Sequence, residues 1–144
     1  MFNGNFFFWK QLSFKLKFID LSSSFYLIRT PDFSGVPMLE KLNLSNCPRL
    51  VEIHPSIGKL SKLRYLHLKY CKSLTDLPSM SAKMQSLTVL DLHHCSKINS
   101  FPKFTGIMKS LSVLIFCRTA IKEVPPSSIE CLTALNYFIR SKLQ

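Results

Sequence analysis

A nine-residue pattern recurs along this chain and constrains its fold more than any other feature. The pattern has the form L-x-x-L-x-L-x-x-C and begins at Leu39, Leu63 and Leu87, so that successive copies are 24 residues apart. Weaker copies begin at three further positions, Leu16, Leu111 and Leu135. The starts are separated by 23, 24, 24, 24 and 24 residues. A fixed period of this length indicates one structural unit per copy, repeated along the chain.

The pattern inside each copy predicts a short strand followed by a return loop. The central x-L-x-L-x segment has the two-residue period of a β-strand with one buried face. A single coil cannot bury its apolar face alone, so neighbouring coils must stack and share a leucine core and a parallel strand ladder. The period is that of a leucine-rich repeat. We therefore predict an α/β fold, a horseshoe-shaped leucine-rich-repeat solenoid with a parallel concave β-sheet and a mostly irregular or short-helical convex side.

The repeat also divides the chain into two parts. Residues 1–15 do not follow the pattern and are predicted to be a non-repeat N-terminal extension. Residues 16–144 form the repeats, of which the last is incomplete. Two interpretations of the extension stay open: it is unrelated to the repeats, or its apolar run Phe6–Trp9 covers the open end of the core.

The third, fifth and seventh residues of each copy are predicted to point away from the core, where they form three stripes across the concave sheet. The stripes are polar and mixed in the second to fourth copies and become apolar after them. This mixture favours a protein ligand over a small charged molecule. The seventh-position stripe also contains Cys117. The candidate protein-binding residues are Lys41, Asn43, Ser45, Tyr65, His67, Lys69, Val89, Asp91, His93, Val113, Ile115 and Tyr137.

The five cysteines of the chain match neither a compact disulfide scaffold nor a paired metal-binding motif. Cys47, Cys71 and Cys95 occupy the same position just after each strand, where we expect small buried side chains running parallel to one another. Disulfide or metal chemistry is the alternative, since stacked coils bring such positions close together. Reduced thiols are typical of the cytosol.

The histidines offer the closest approach to a catalytic or metal site. His67, His93 and His94 lie near Asp91 and Cys95 in the sequence, but no third ligand has a defined spacing and no nucleophile has an orienting partner. A solvated surface or a protein contact is the better interpretation. We therefore predict no catalytic residue, no cofactor, no metal and no enzymatic activity.

Nineteen Lys and Arg against eight Asp and Glu give a net charge of +11. Many of the basic residues flank the predicted strands and so follow the margins of the horseshoe. A nucleic-acid surface would use such ridges for phosphates but also offers aromatics that stack on bases. None accompany these lysines, so solvation or contact with an acidic protein partner is favoured.

No segment predicts a membrane span or a secretion signal. The longest unbroken apolar run, Val113–Cys117, has five residues, against the roughly 20 that cross a bilayer. The apolar residues near the N-terminus lack a preceding basic residue and a small-residue cleavage site. We expect the protein in the cytoplasm, with the nucleus as an alternative, and the oligomeric state is left open.

Several segments carry a resemblance to a known family: Phe18–Ser22, Thr30–Gly35, Leu39–Leu44, Leu50–Gly58, Thr119–Pro125 and Ser127–Glu130. Together they resemble the leucine-rich-repeat region of plant intracellular disease resistance receptors, the nucleotide-binding leucine-rich-repeat proteins with a Toll/interleukin-1 receptor-type domain. The resemblance covers about residues 16 to 140. In that family the repeats recognise pathogen proteins or their host targets and help to hold the receptor inactive.

The resemblance implies a recognition module of an innate immune receptor whose partner is a pathogen effector, a host target or another receptor domain. The nucleotide switch of the family needs a glycine-rich phosphate loop, which the four glycines here do not form. We therefore expect a fragment, a short isoform or an incomplete gene model rather than a whole receptor. Two alternatives stay open, a basic nucleic-acid-binding domain and a truncated product without an independent function.

Overall fold

Six short strands, evenly spaced along the chain, form one parallel sheet. The computed structural model describes residues 14–140. The strands are β1 (Phe18–Asp20), β2 (Lys41–Asn43), β3 (Tyr65–His67), β4 (Val89–Asp91), β5 (Val113–Ile115) and β6 (Tyr137–Ile139). Their order in the sheet is their order in the sequence, and each pairs in parallel with the next. The predicted solenoid of stacked coils is confirmed.

The leucines of the repeat stack in register to build the core. Leu42 pairs with Leu66 and Leu66 with Leu90 across neighbouring strands. These side chains are fully buried, as are Leu44 and Leu68 two residues after the strand centres. Each coil thus contributes two inward residues from the strand region to one continuous core. A fully buried leucine side chain contributes roughly 1.5–3 kcal/mol by leaving water, so the stacking of coils stabilises what one coil cannot.

The chain leaves each strand through a left-handed turn that the leucine pattern does not predict. One residue before the cysteine position has φ between 57° and 61° in five successive coils. The residues are Ser23, Asn46, Tyr70, His94 and Arg118. Bulky residues seldom adopt this region, whereas Asn and His are enriched there. A hydrogen bond to the next coil holds the turn in place, for example from the Tyr70 N–H to the His93 carbonyl oxygen at 2.8 Å.

The cysteines after the strands form a ladder of thiol hydrogen bonds between coils. All three side chains are fully buried and reduced. The Cys47 Sγ lies 3.3 Å from the Leu21 carbonyl oxygen, the Cys71 Sγ 3.1 Å from that of Leu44, and the Cys95 Sγ 2.9 Å from that of Leu68. Burial raises the pKa of the Cys47 thiol, and a hydrogen bond with Cys71 together with burial raises that of Cys95. The same contact with Cys95 lowers the pKa of Cys71, but each of the three sulfurs faces a carbonyl oxygen, which only accepts, so each thiol is protonated and acts as a donor.

The convex side is mostly irregular, with two short helices among the described residues. A 3-10 helix spans Pro55–Lys59, and the Nδ1 of His54 accepts a hydrogen bond from the Ser56 N–H at 3.2 Å. The α-helix α1 spans Pro126–Glu130 and has proline in its first turn, where the missing N–H costs nothing. Both helices lie on the path back to the next strand. The convex side agrees with the fold class expected from the sequence.

The first and last coils leave apolar side chains exposed. The central residue of β6, Phe138, is 42 % exposed and that of β1, Ile19, is partly buried, whereas the central residues of β2 to β5 are fully buried. Of the predicted extension, residues 1–13 lie outside the described part of the chain, and so does the apolar run Phe6–Trp9. Within residues 14–140, no helix has the length and apolar character needed to span a membrane.

Candidate functional site

The concave face displays the residues that the sequence pattern assigned to it. Each predicted protein-binding residue lies in a strand or within two residues after one. Those most open to solvent are Lys41, Lys69 and Tyr137. The half-buried ones are Asn43, Ser45, Tyr65, His67, Val89, His93, Val113 and Ile115. The strand alternation thus brings all of them onto one surface, although Asp91 is buried there.

Asp91 lies on this face but is covered by its neighbours. The residue as a whole is only 3 % exposed. One carboxylate oxygen lies 3.5 Å from the Lys69 Nζ, and the other accepts a hydrogen bond from the His93 N–H at 3.0 Å. A buried carboxylate needs such partners, because its desolvation is otherwise costly. Asp91 therefore orients Lys69 and the turn after β4 and offers little surface of its own to a partner.

The fifth position of the repeat has the same local role in other coils. Asp20 accepts a hydrogen bond from the Ser22 N–H at 2.9 Å, and Asn43 accepts one from the Ser45 N–H at 3.1 Å. Asp and Asn side chains commonly bond to the backbone two residues ahead in this way. The hydroxyl and backbone donors of Ser22 hold the pKa of Asp20 below its ordinary value. These polar side chains therefore shape the strand end as well as the surface.

Two aromatic rings stack on the middle of the concave face. The Tyr65 and His67 rings lie 6.4 Å apart with planes 2° from parallel. Burial lowers the pKa of His67, and the nearby charges of Lys41 and Lys69 lower it further, although Asp91 opposes them. The imidazole is therefore neutral near pH 7. It offers a flat polarisable surface with one donor and one acceptor to a protein partner.

A cluster of rings and one thiol occupies the turns after β3, β4 and β5. The ring of Tyr70 stacks on that of His94 at 4.5 Å, and the His93 ring meets the His94 ring edge-on at 4.2 Å. The Nδ1 of His93 lies 2.9 Å from the Sγ of Cys117 in the next coil. The seventh-position stripe placed His93 and Cys117 on adjacent coils, because they are 24 residues apart. Sequence reasoning did not bring Tyr70 to this cluster.

His94 occupies the left-handed turn position of its coil. Its Nδ1 is buried and has no hydrogen-bond partner among the described residues. Burial lowers the pKa of His94, as do the nearby charges of His93, Arg118 and Lys72. A neutral ring packed on Tyr70 explains how the site tolerates the unbonded nitrogen, since a protonated ring would need an acceptor.

The polar side chains of the described residues do not assemble a metal centre. No group of three or more His, Cys, Asp or Glu within residues 14–140 is placed to hold a metal ion. The concave face changes instead from basic and polar at Lys41 and Lys69 to apolar at Val113 and Ile115. A surface graded in this way can match a protein by charge at one end and by apolar contact at the other.

Basic residues line the margin of the solenoid where the strands begin. A groove of about 290 Å³ at this margin is bordered by Lys62, Arg64 and Glu40 together with three hydroxyl residues. Glu40 also pairs with Lys17 of the preceding coil at 3.0 Å. The basic residues assigned to the two margins are exposed: Lys15, Arg49, Lys59, Lys62, Lys72, Lys83, Lys97 and Lys109. Such exposed charges interact with water and with anionic partners more than with one another.

Comparison with known proteins finds the same repeats over nearly the same part of the chain. Residues 18–143 match the leucine-rich repeat region family, and the chain belongs to that family. Its relatives are disease resistance proteins of plants. A segment of 48 residues, 33 % of this chain, is 54 % identical to TMV resistance protein N of Nicotiana glutinosa and covers 4 % of that protein. A 48-residue segment, again 33 % of the chain, is 50 % identical to disease resistance protein RPV1 of Vitis rotundifolia and covers 3 % of it.

A third relative, disease resistance protein RUN1 of Vitis rotundifolia, is 49 % identical over 47 residues, which are 33 % of this chain and 4 % of that protein. The aligned segments thus correspond to a small part of these relatives. No solved structure matches the chain significantly. The resemblance to the leucine-rich-repeat region of plant disease resistance proteins is confirmed.

Proposed function

We propose that this chain is a protein-recognition module of a plant innate immune receptor and that its partner binds the concave face. The partner is a pathogen effector, a host target or another domain of a longer receptor, and in the last case the contact contributes to autoinhibition. The cytoplasm is the proposed compartment, with the nucleus as the alternative. The module is proposed to work without a cofactor and without catalysis.

The observation that carries this proposal is the continuous accessible band along the sheet. Lys41, Tyr65, Val89 and Val113 are cross-strand neighbours in register, so their side chains form one row across four coils. Adjacent members of the row lie about 4.8 Å apart, the spacing of paired strands. The row therefore extends over about 15 Å of an open sheet face, which suits contact with another protein surface.

A charge-matched pair of substitutions tests the proposal. Lys41→Glu reverses a charge on the concave face. Lys97→Glu makes the same change at an exposed site off that face, on the margin where the strands end. Asp91 is unsuitable, because reversal of a buried and ion-paired carboxylate would disturb the fold. Each variant is assayed by co-precipitation with the other domains of plant resistance receptors and with pathogen proteins. Loss of binding in Lys41→Glu but not in Lys97→Glu supports the proposal, and the reverse order refutes it.

A nucleic-acid-binding function is the second candidate, and the basic groove beside Lys62 and Arg64 favours it. Phosphate contacts would release counterions, so the affinity would fall steeply with salt. Titration of a labelled oligonucleotide at low salt checks this directly. A flat titration excludes the candidate, and micromolar or tighter binding lost on Lys62→Glu establishes it.

A further inference from the structure

The five cysteines of the chain fall into chemically different groups. The thiols of Cys47, Cys71 and Cys95 are fully buried and donate to backbone carbonyl oxygens. Cys131 is half-buried, and its Sγ lies 3.5 Å from the Ser127 carbonyl oxygen and 3.8 Å from that of Phe104. Cys117 is half-buried on the concave side, and a side-chain base lies within hydrogen-bonding distance of its sulfur.

The contact between Cys117 and His93 allows a proton to pass between them. At 2.9 Å, the thiol S–H donates to an unprotonated Nδ1, or a protonated Nδ1 donates to the thiolate. A thiolate is the attacking species in thiol–disulfide exchange, and an adjacent histidine is a recurrent means of forming it. The His93 backbone is fixed by two hydrogen bonds, from its N–H to Asp91 at 3.0 Å and from the Tyr70 N–H to its carbonyl oxygen at 2.8 Å. The base is thus held in place by its own turn.

We propose that Cys117 is a modification site for small anionic disulfides, with His93 as the group that takes the thiol proton. The Cys117 thiolate attacks one sulfur of glutathione disulfide, the disulfide bond breaks, and a mixed disulfide forms at Cys117. The departing glutathione thiolate takes the proton from His93. No further oxidant is needed. The net charge of +11 attracts the anionic reagent to the protein.

The adduct would occupy part of the face proposed for partner recognition, because Cys117 lies two residues after Ile115 on the same concave face. This consequence rests on the proposed function, whereas the modification itself does not. Glutathionylation of Cys117 would then reduce partner binding, and reduction would restore it. Adduct formation at Cys117 and its effect on partner binding are therefore measured by separate assays.

The test treats the reduced full chain with glutathione disulfide and follows adduct formation by intact mass and peptide mapping. Mapping on the wild-type chain identifies the site without any substitution. We expect one adduct at Cys117, formed about tenfold more slowly in His93→Gln. His54→Gln is the matched control, because it makes the same change at a histidine on the convex side, beside the 3-10 helix. Circular dichroism checks that each variant is folded.

Preferential modification of Cys131, or a rate unchanged in His93→Gln, overturns the proposal. Modification of Cys117 that leaves partner binding unchanged retains the modification site and removes only its effect on recognition. If partner binding does not depend on the concave face at all, the proposed function is wrong, but the proposed modification of Cys117 is unaffected.

Discussion

Removal of a single thiol from the cysteine ladder should destabilise the solenoid measurably. Cys71 is fully buried, and its Sγ lies 3.1 Å from the Leu44 carbonyl oxygen of the preceding coil. Cys71→Ala removes this donor from a buried acceptor, which costs about 1–3 kcal/mol. It also leaves a small void where the sulfur packed, which adds about 1 kcal/mol. We therefore expect the free energy of unfolding to fall by about 2–4 kcal/mol.

Serine at the same position separates the hydrogen bond from the packing. Cys71→Ser retains a donor to the Leu44 carbonyl oxygen and loses mainly apolar contact, so a loss of about 1 kcal/mol is expected. Cys131→Ala is the control, because that thiol is half-buried and its carbonyl contacts are 3.5 Å or longer. Its expected effect is below about 0.5 kcal/mol.

Urea unfolding followed by circular dichroism measures these differences, provided that the chain unfolds in one cooperative transition. The predicted order of destabilisation is Cys71→Ala, then Cys71→Ser, then Cys131→Ala. Equal effects of alanine and serine at position 71 would refute the argument that the thiol acts as a donor. A Cys131→Ala effect as large as that of Cys71→Ala would refute the assignment of the ladder to the buried cysteines.

Four further substitutions test the packing and the electrostatics. Leu66→Ala, in the middle of the core, should cost about 2–5 kcal/mol in urea unfolding, and Ile19→Ala in the half-buried first strand should cost clearly less. Gly58→Ala should lower the melting temperature, because a methyl group there would lie 2.9 Å from the Ser79 carbonyl oxygen; an unchanged melting temperature would contradict this close contact. Since the pKa of His67 is lowered on folding, the unfolded chain binds more protons, and stability should fall as pH drops through about 6.5 toward the folded pKa. His67→Gln should make that part of the stability–pH profile flatter, and an unchanged slope would show that His67 does not contribute to it.

The leucine period was sufficient to predict the architecture, because register in a stacked solenoid follows directly from repeat length. Leu42, Leu66 and Leu90 are in register because they are 24 residues apart, and a shift by one residue would turn each of them to solvent. The burial of Cys71 followed from the same reasoning. The sequence-based predictions therefore agree with the structure for features that depend only on one repeat and its nearest neighbour.

Two features were missed at the sequence level: a turn conformation that five coils share and the burial of a carboxylate that depends on one pair of coils. The left-handed turn residues include Asn46, Tyr70 and Arg118, which share no chemistry that a pattern could recognise. Asp91 occupies a concave position but is covered, because Lys69 and the His93 backbone both bond to it. The covering of Asp91 is decided by side-chain packing between coils rather than by periodicity, which is why the binding surface is less predictable than the fold.

Site-specific photocrosslinking tests the recognition surface most directly. A benzophenone side chain is placed at Tyr65 or Val113 on the concave face, and at Lys83 or Lys97 on the exposed margins, in the full chain produced in plant cells. We predict that both concave positions crosslink to the same protein, identified by mass spectrometry, and that the margin positions do not. Crosslinks to that protein from the margins alone, with none from Tyr65 or Val113, would contradict the account.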